Sequence, residues 1–400
     1  MVVSVILGIA VGLISDLFIR AIQLGTRLIW QDLVPHAIHH PLAVILISLA
    51  GGIIMGLCVK YFGTNEGIGF EAVMASVKED GALGVKQLKR VVVNTYAGLL
   101  AGASIGPEAP LVTLGGYVGD WLGRRLKVTK EQIMSFIAIA LGGSLGILLN
   151  APVAGSIMFA ENPVAEDKKA NTLLIFASMV AASIGFGIYV LLKAPFLHGV
   201  QLVPSYSGFK PVQLVYGFII GIIGMAIGLS MKYGIIHLKS FNKKYLKNPI
   251  IRGGIVGIIV GIIGSIWPLA MFDGTQQLSQ LVTHTASYTV IGLLVLCLVR
   301  VITTSVSLGG GYQGGNIFPT LFAAGAAGLA IHGMFGFVPA AVAVVACMAS
   351  SMYVFTPLPL FTIFLITDIS SFSLIPVMTM ALVSSYLINI IKPSTAKSNA

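Results

Sequence analysis

Gly106-Pro107-Glu108-Ala109-Pro110 lies inside an apolar stretch and sets a carboxylate between two prolines at a helix start. Two further glycine-rich runs also open helices: Gly63-Thr64-Asn65-Glu66-Gly67-Ile68-Gly69, and Gly309-Gly310-Gly311-Tyr312-Gln313-Gly314-Gly315-Asn316-Ile317-Phe318-Pro319. A helix N-terminus presents unpaired N–H groups and about half a positive charge. Glycine lets a ligand approach that backbone, and proline in the first turn sacrifices no needed donor. Three such termini converging in mid-membrane would make an anion site without lysine or arginine. That matters because a fixed buried cation would hold an anion too tightly to release it. The competing reading is that the loops only permit tight helix packing; their recurrence favours the site. Glu108 is the most informative residue, since an ionisable group within a membrane is costly and by default a functional candidate. A carboxylate there can occupy the anion site itself, leave on protonation and let an anion take its place. The plainer alternative is a simple N-terminal helix acid.

The surrounding composition supplies the membrane. Of 400 residues, 56% are hydrophobic and 10% charged, against about 25% charged in a soluble domain. Mean hydropathy is +0.95. Such a chain cannot cover a water-facing surface, and a bilayer is its natural solvent. The 47 glycines agree, because membrane helices use glycine for close backbone approach. Cys58, Cys297 and Cys347 sit in apolar stretches, which argues against a disulfide framework or a zinc site. The net charge of +10 does not indicate nucleic acid, because it is concentrated in loops. Lys232, Lys239, Lys243, Lys244, Lys247 and Arg252 crowd one of them, and Arg124, Arg125, Lys127 and Lys130 another; both read as cytoplasmic. The opening segment from Val2 to Trp30 is too long for a signal-peptide core and carries Asp16 and Arg20.

Full-length spans are expected near 2–30, 42–62, 84–104, 128–149, 171–193, 211–238, 250–270, 287–307 and 373–391. Shorter glycine-rich segments are expected at 66–77, 107–123, 152–160, 275–283, 317–334 and 358–367. Half-helices broken by Gly and Pro are characteristic of binding sites inside membranes. The chain also looks doubled. Phe62 to Glu108 is 46 positions (108 − 62), and Phe272 to Phe318 is 46 (318 − 272). The polar stretch Val203-Pro204-Ser205-Tyr206-Ser207-Gly208 is the natural joint. The expected division is a first transmembrane repeat over 1–203, a linker over 204–210, a second, inverted repeat over 211–393 and a short tail over 394–400.

Leu298-Val299-Arg300-Val301-Ile302-Thr303-Thr304, followed by the glycine loop and Asn316-Ile317-Phe318-Pro319, resembles the second-half filter region of the CLC chloride channels and exchangers. Gly106-Pro107-Glu108-Ala109-Pro110, followed by Gly115-Gly116-Tyr117-Val118-Gly119, resembles that family's gating-glutamate motif. Asn150-Ala151-Pro152-Val153-Ala154-Gly155 resembles a third family segment. The resemblance covers most of the chain. It implies an all-α polytopic membrane protein of two inverted halves with re-entrant half-helices, one pore per subunit of a homodimer, and Glu108 as gate. It places part of the anion coordination on the backbone N–H groups around Asn316, Ile317 and Phe318; the glycine-rich helix starts themselves add Gly106, Pro107, Ala109 and Gly315 as candidates.

Several positions depart from the pattern. In the first filter motif, Thr64 supplies a hydroxyl only if two residues are inserted. Alternatively Asn65-Glu66-Gly67-Ile68-Gly69 aligns without a gap and puts Glu66 where the family has a serine. An ionised Glu66 facing the site would oppose an anion, so it would be protonated, turned away or part of an altered selectivity. The family's inward proton-relay glutamate corresponds to Asn162, with Glu161 beside it as a substitute. After Lys392-Pro393 come Ser394 and Thr395 in place of a filter tyrosine, and Tyr386 reads as a packing or interfacial aromatic. A cytoplasmic regulatory domain is not expected. His36, His39 and His40 read as solvated loop histidines, Asp368 as a helix-end acid, and Asp16 with Arg20 as a pair on one helix face. No hydrolase or metalloprotease constellation lies in the spans, so an intramembrane enzyme is disfavoured, as is a purely structural role. The expected activity is passage of small chloride-like anions, as a channel or weakly proton-coupled carrier gated by Glu108, in a multi-pass cell-membrane protein without cofactor or bound metal. The alternative is a proton-coupled chloride or fluoride antiporter.

Overall fold

The computed structural model describes residues 1–33, 40–63, 83, 85–164, 167–194, 200–206 and 208–391. Fifteen α-helices occur among them. The first seven are α1 (Val2–Arg27), α2 (Pro41–Phe62), α3 (Val85–Leu100), α4 (Glu108–Arg125), α5 (Lys130–Leu148), α6 (Pro152–Glu161) and α7 (Lys168–Leu191). The remaining eight are α8 (Val212–Tyr245), α9 (Pro249–Ile266), α10 (Thr275–Thr283), α11 (Val290–Gly309), α12 (Ile317–Met334), α13 (Ala340–Tyr353), α14 (Pro359–Asp368) and α15 (Ile375–Ile391). Thr64, Asn65, Glu66 and Gly67, the helix expected over 66–77, His36, His39 and the Lys392-Pro393 pair lie outside the described residues.

The starts follow local chemistry. Proline occupies the first turn of α2, α6, α9 and α14, where no intrahelical donor is lost. Thr129 and Gln132 form a capping box at α5, with reciprocal bonds of 3.3 and 3.1 Å. Asn248 caps α9 through the Ile250 amide at 2.9 Å.

Nine helices among the described residues are long and apolar enough to cross a membrane. Leu17, Leu173, Ile251 and Leu298 point outward from the helix bundle, as lipid-facing side chains do. At the centre, every residue of α12 from Ile317 to Ile331 is buried, as is α13 from Ala341 to Tyr353. Glycine sets the closest crossings. On α2 and α9, which run antiparallel, Gly52 faces Gly253, Gly56 faces Pro249 and Ile250, and Gly257 faces Ser48. A methyl group at any of these glycines would run into the opposing backbone.

The observed helices differ from the expected spans in three places. The span expected over 84–104 is a 16-residue helix ending at Leu100. The chain turns there because Gly102 adopts a φ of 79°, a conformation that favours glycine. The segment 317–334, read as a short helix, is an 18-residue helix of spanning length. Helix α13 was not anticipated at all.

Candidate anion pathway and gate

The two glycine loops that open α4 and α12 meet in the interior. Gly106 N donates to Gly315 O and Gly315 N donates to Gly106 O, both at 2.8 Å. The whole segment from Ala101 to Pro110 is buried, although residues 101–107 are not helical. Irregular backbone at membrane depth needs partners from other elements. The second half of the chain supplies them: Phe272 N donates to Gly102 O at 3.2 Å, and Ser104 N donates to Ser307 Oγ at 3.3 Å. Ser104 Oγ also shares a hydrogen bond of 2.7 Å with Thr304 Oγ1.

Glu108 is the first residue of α4, and its side chain reaches across to α12. The Ile317 amide, at the first position of α12, donates to Glu108 Oε1 at 2.6 Å. The other oxygen, Oε2, is buried without a hydrogen-bond partner among the described residues. The carboxyl group lies flat against two glycines, since a Cβ at Gly106 or Gly315 would overlap it. One helix start therefore carries the acid, and the other offers its amide to that acid.

Three cavities border these two loops. One of about 230 Å³ is bounded by Glu108, Ala109, Asn316, Ile317, Asn162 and Phe355. A second, of about 490 Å³, shares Gly314, Asn316 and Phe355 with it and carries Lys239, Lys243 and Arg252. A third, of about 470 Å³, lies on the Pro107 side of the acid, lined by Gln23, Arg27, Gln31, Asp273, Gln276 and Gln277. Asn316 thus borders both the basic cavity and the chamber holding Glu108.

Of the sequence-predicted site residues, Gly106, Pro107, Glu108, Ala109, Gly315, Asn316 and Ile317 are gathered here, and Phe318 follows in the first turn of α12. Asn162 lines the central chamber. Glu161 instead accepts from the Leu360 and Phe361 amides at 2.7 and 2.9 Å, closing the N-terminus of α14. Sequence reasoning missed Asn94, whose Nδ2 donates to Gly63 O at 3.0 Å and to Gln313 Oε1 at 3.2 Å. It thereby joins the start of the first glycine run to the third; an asparagine inside an apolar helix was the available signal. Phe355, Thr356 and Phe361 were missed as well, and they come from a stretch with no motif of its own. Arg300, quoted in the motif, is fully buried and donates to Met271 O at 2.8 Å and Phe272 O at 2.9 Å, pinning the loop before α10. Asp16 and Arg20 pair at 2.8 Å on α1, and Arg20 also reaches the Leu192 carbonyl beyond the end of α7.

In a multi-pass helical membrane protein, two helix starts that meet at a buried carboxylate beside cavities form a candidate anion site. The sequence profile described as Voltage gated chloride channel matches residues 51–389, and the chain belongs to that family. A protein named for ion transport, YfeO of Shigella flexneri, is 28% identical over 349 residues, covering 85% of this chain and 81% of its own. A slow cyanobacterial Cl−/H+ antiporter has the same fold, with a TM-score of 0.81 at 21% identity over 98% of this chain and 94% of its own. A CLC-type fluoride/proton antiporter also superposes, with a TM-score of 0.81 at 18% identity over 97% of this chain and 94% of its own.

Proposed function

We propose that the chain passes small chloride-like anions between the basic cavity and the Pro107-side cavity, with Glu108 as a protonatable gate and no obligatory proton exchange. One observation carries this reading: Glu108 Oε1 takes the Ile317 N–H that an anion would otherwise take. Ionised, the carboxylate fills the anion position. Protonated, it loses its charge-assisted bond and yields to an anion. Gly106, Pro107, Ala109, Gly315, Asn316 and Phe318 form the rest of that position, with Thr64, Asn65, Glu66 and Gly67 as the proposed contribution of the first glycine run. By the positive-inside rule the face bearing Lys239, Lys243 and Arg252 is cytoplasmic, and the Gln- and Asp273-lined cavity opens outward. The uncoupled reading is supported by Asn162, which lines the chamber and cannot carry a proton, and by Glu161, whose oxygens are engaged by α14.

The second reading, a proton-coupled chloride or fluoride antiporter, is favoured by the fold shared with two antiporters. Purified protein in liposomes separates the two. An imposed chloride gradient that drives protons uphill refutes the uncoupled reading, while chloride flux without proton movement supports it. The helix order supports repeats over 1–203 and 211–393 joined at 204–210: α4 and α12 each have 18 residues, and α6 and α14 each have 10. A homodimer is proposed from family membership alone.

A further inference from the structure

The outward cavity holds an acid for which the pathway above has no role. Asp273 sits just before α10 and lines that cavity together with Pro107, the residue preceding the gate. Its oxygens accept from Thr275 N at 3.0 Å and Thr275 Oγ1 at 3.2 Å. Those bonds account for a helix cap. They do not account for an acid on the wall of the cavity that Pro107, the neighbour of Glu108, also lines. The charged groups that face it are few. Arg300 of α11 acts on it at longer range, but that guanidinium is engaged with the Met271 and Phe272 carbonyls. Among the described residues Asp273 forms no ion pair. Arg27 of α1 lines the same cavity and approaches Asp32 at 3.8 Å. The other polar lining residues are Gln23, Thr26, Gln31, Gln276 and Gln277, none of which titrates.

Opening the gate requires a proton at Glu108, whose Oε2 is buried and unbonded among the described residues. A carboxyl on the wall of a cavity that the residue preceding Glu108 also lines is suited to deliver it. We propose that Asp273 is the proton relay of the outer mouth, taking a proton from cavity water and passing it to Glu108. In that step the Asp273 O–H bond breaks, a Glu108 O–H bond forms, and water in the cavity re-protonates Asp273. The inference rests on the reading of Glu108 as gate.

Asp273→Asn tests it, because the amide oxygen still caps α10 while the charge and the exchangeable proton are gone. Chloride efflux from liposomes holding the full chain is measured while outer pH is stepped. The midpoint of acid activation is expected to move about one unit to lower pH, and opening after an acid jump to slow several-fold. Asp273→Glu restores the carboxyl and is expected to restore the wild-type midpoint, a recovery that a capping role alone does not produce. In a Glu108→Gln background Asp273→Asn is expected to add nothing. A wild-type midpoint and opening rate in Asp273→Asn overturn the relay and leave a helix cap. Wild-type pH dependence in Glu108→Gln overturns the gate reading instead, so the two failures are distinguishable. If Asp273→Asn does not assemble, Asp273→Ser, which also presents an oxygen to Thr275 N, is read by the same criteria.

Discussion

Glu108→Gln is the sharpest perturbation of the proposed gate. The ionised side chain receives the Ile317 amide at 2.6 Å at the opening of α12. A hydrogen bond to a charged group contributes about 1.5–3 kcal/mol, and a helix N-terminus adds about 0.5–1 kcal/mol for a negative charge. A neutral amide retains roughly 1 kcal/mol of the hydrogen bond. The closed arrangement therefore loses about 2 kcal/mol relative to the ionised glutamate, which corresponds to about 30-fold in the closed-to-open ratio. Burial of the charge acts in the opposite direction, so 30-fold is an upper figure. The sign with pH follows: wild-type flux rises as pH falls, since protonation removes the charge that holds the gate closed. In the glutamine variant that dependence is expected to be flat, with flux at alkaline pH close to the wild-type acid plateau. Chloride efflux from proteoliposomes at a series of pH values is the assay. A variant as steeply pH-dependent as the wild type refutes the placement of the gate.

Gly315→Ala puts a methyl group where the Glu108 carboxyl lies, so the gate cannot seat, and anion efflux at alkaline pH is expected to rise while pH dependence falls. Arg300→Met leaves the Met271 and Phe272 carbonyls without their donors; a loss of about 2–5 kcal/mol is expected, read as a lower unfolding midpoint in detergent. Glu161→Ala removes two amide acceptors from the start of α14. It is expected to lower stability by about 0.5–2 kcal/mol, while Glu161→Gln leaves proton flux unchanged; proton flux abolished by that glutamine would favour the antiporter.

The helix starts that flank Glu108, the proposed gate, were legible in the sequence because their determinants are local. Gly106, the prolines at 107 and 110 and Asn316-Ile317-Phe318-Pro319 each announce a helix start within a few residues. The meeting of those starts is long-range, and the sequence hints at it only through the equal spacing of the two halves. The end of α3 at Leu100 was misjudged because apolar residues continue past it; a glycine conformation and the bond from Phe272 N to Gly102 O are what stop it. Helix α13 escaped notice because small apolar residues cover all its faces, leaving no periodic contrast to read. Asn94 and Phe355 belong to the site only through packing against segments far away in the chain.

The distribution of hydrogen bonds around the crossing also bears on how the gate opens. Moving either glycine loop would break the reciprocal Gly106–Gly315 pair, and moving the one before α4 would also break the bonds from Phe272 N to Gly102 O and from Ser104 N to Ser307 Oγ. At membrane depth each orphaned backbone group costs several kcal/mol, because no bulk water replaces the partner. Rotating the Glu108 side chain breaks its bond from Ile317 N, which protonation has already weakened, and a bound anion can accept that N–H in its place. Side-chain rotation is therefore the lower-energy route by a wide margin. In the proposed gating the frame stays fixed while one carboxyl changes position. On this reading the proposed anion site is preformed, and its affinity is set by how far the ionised glutamate competes for the α12 amide.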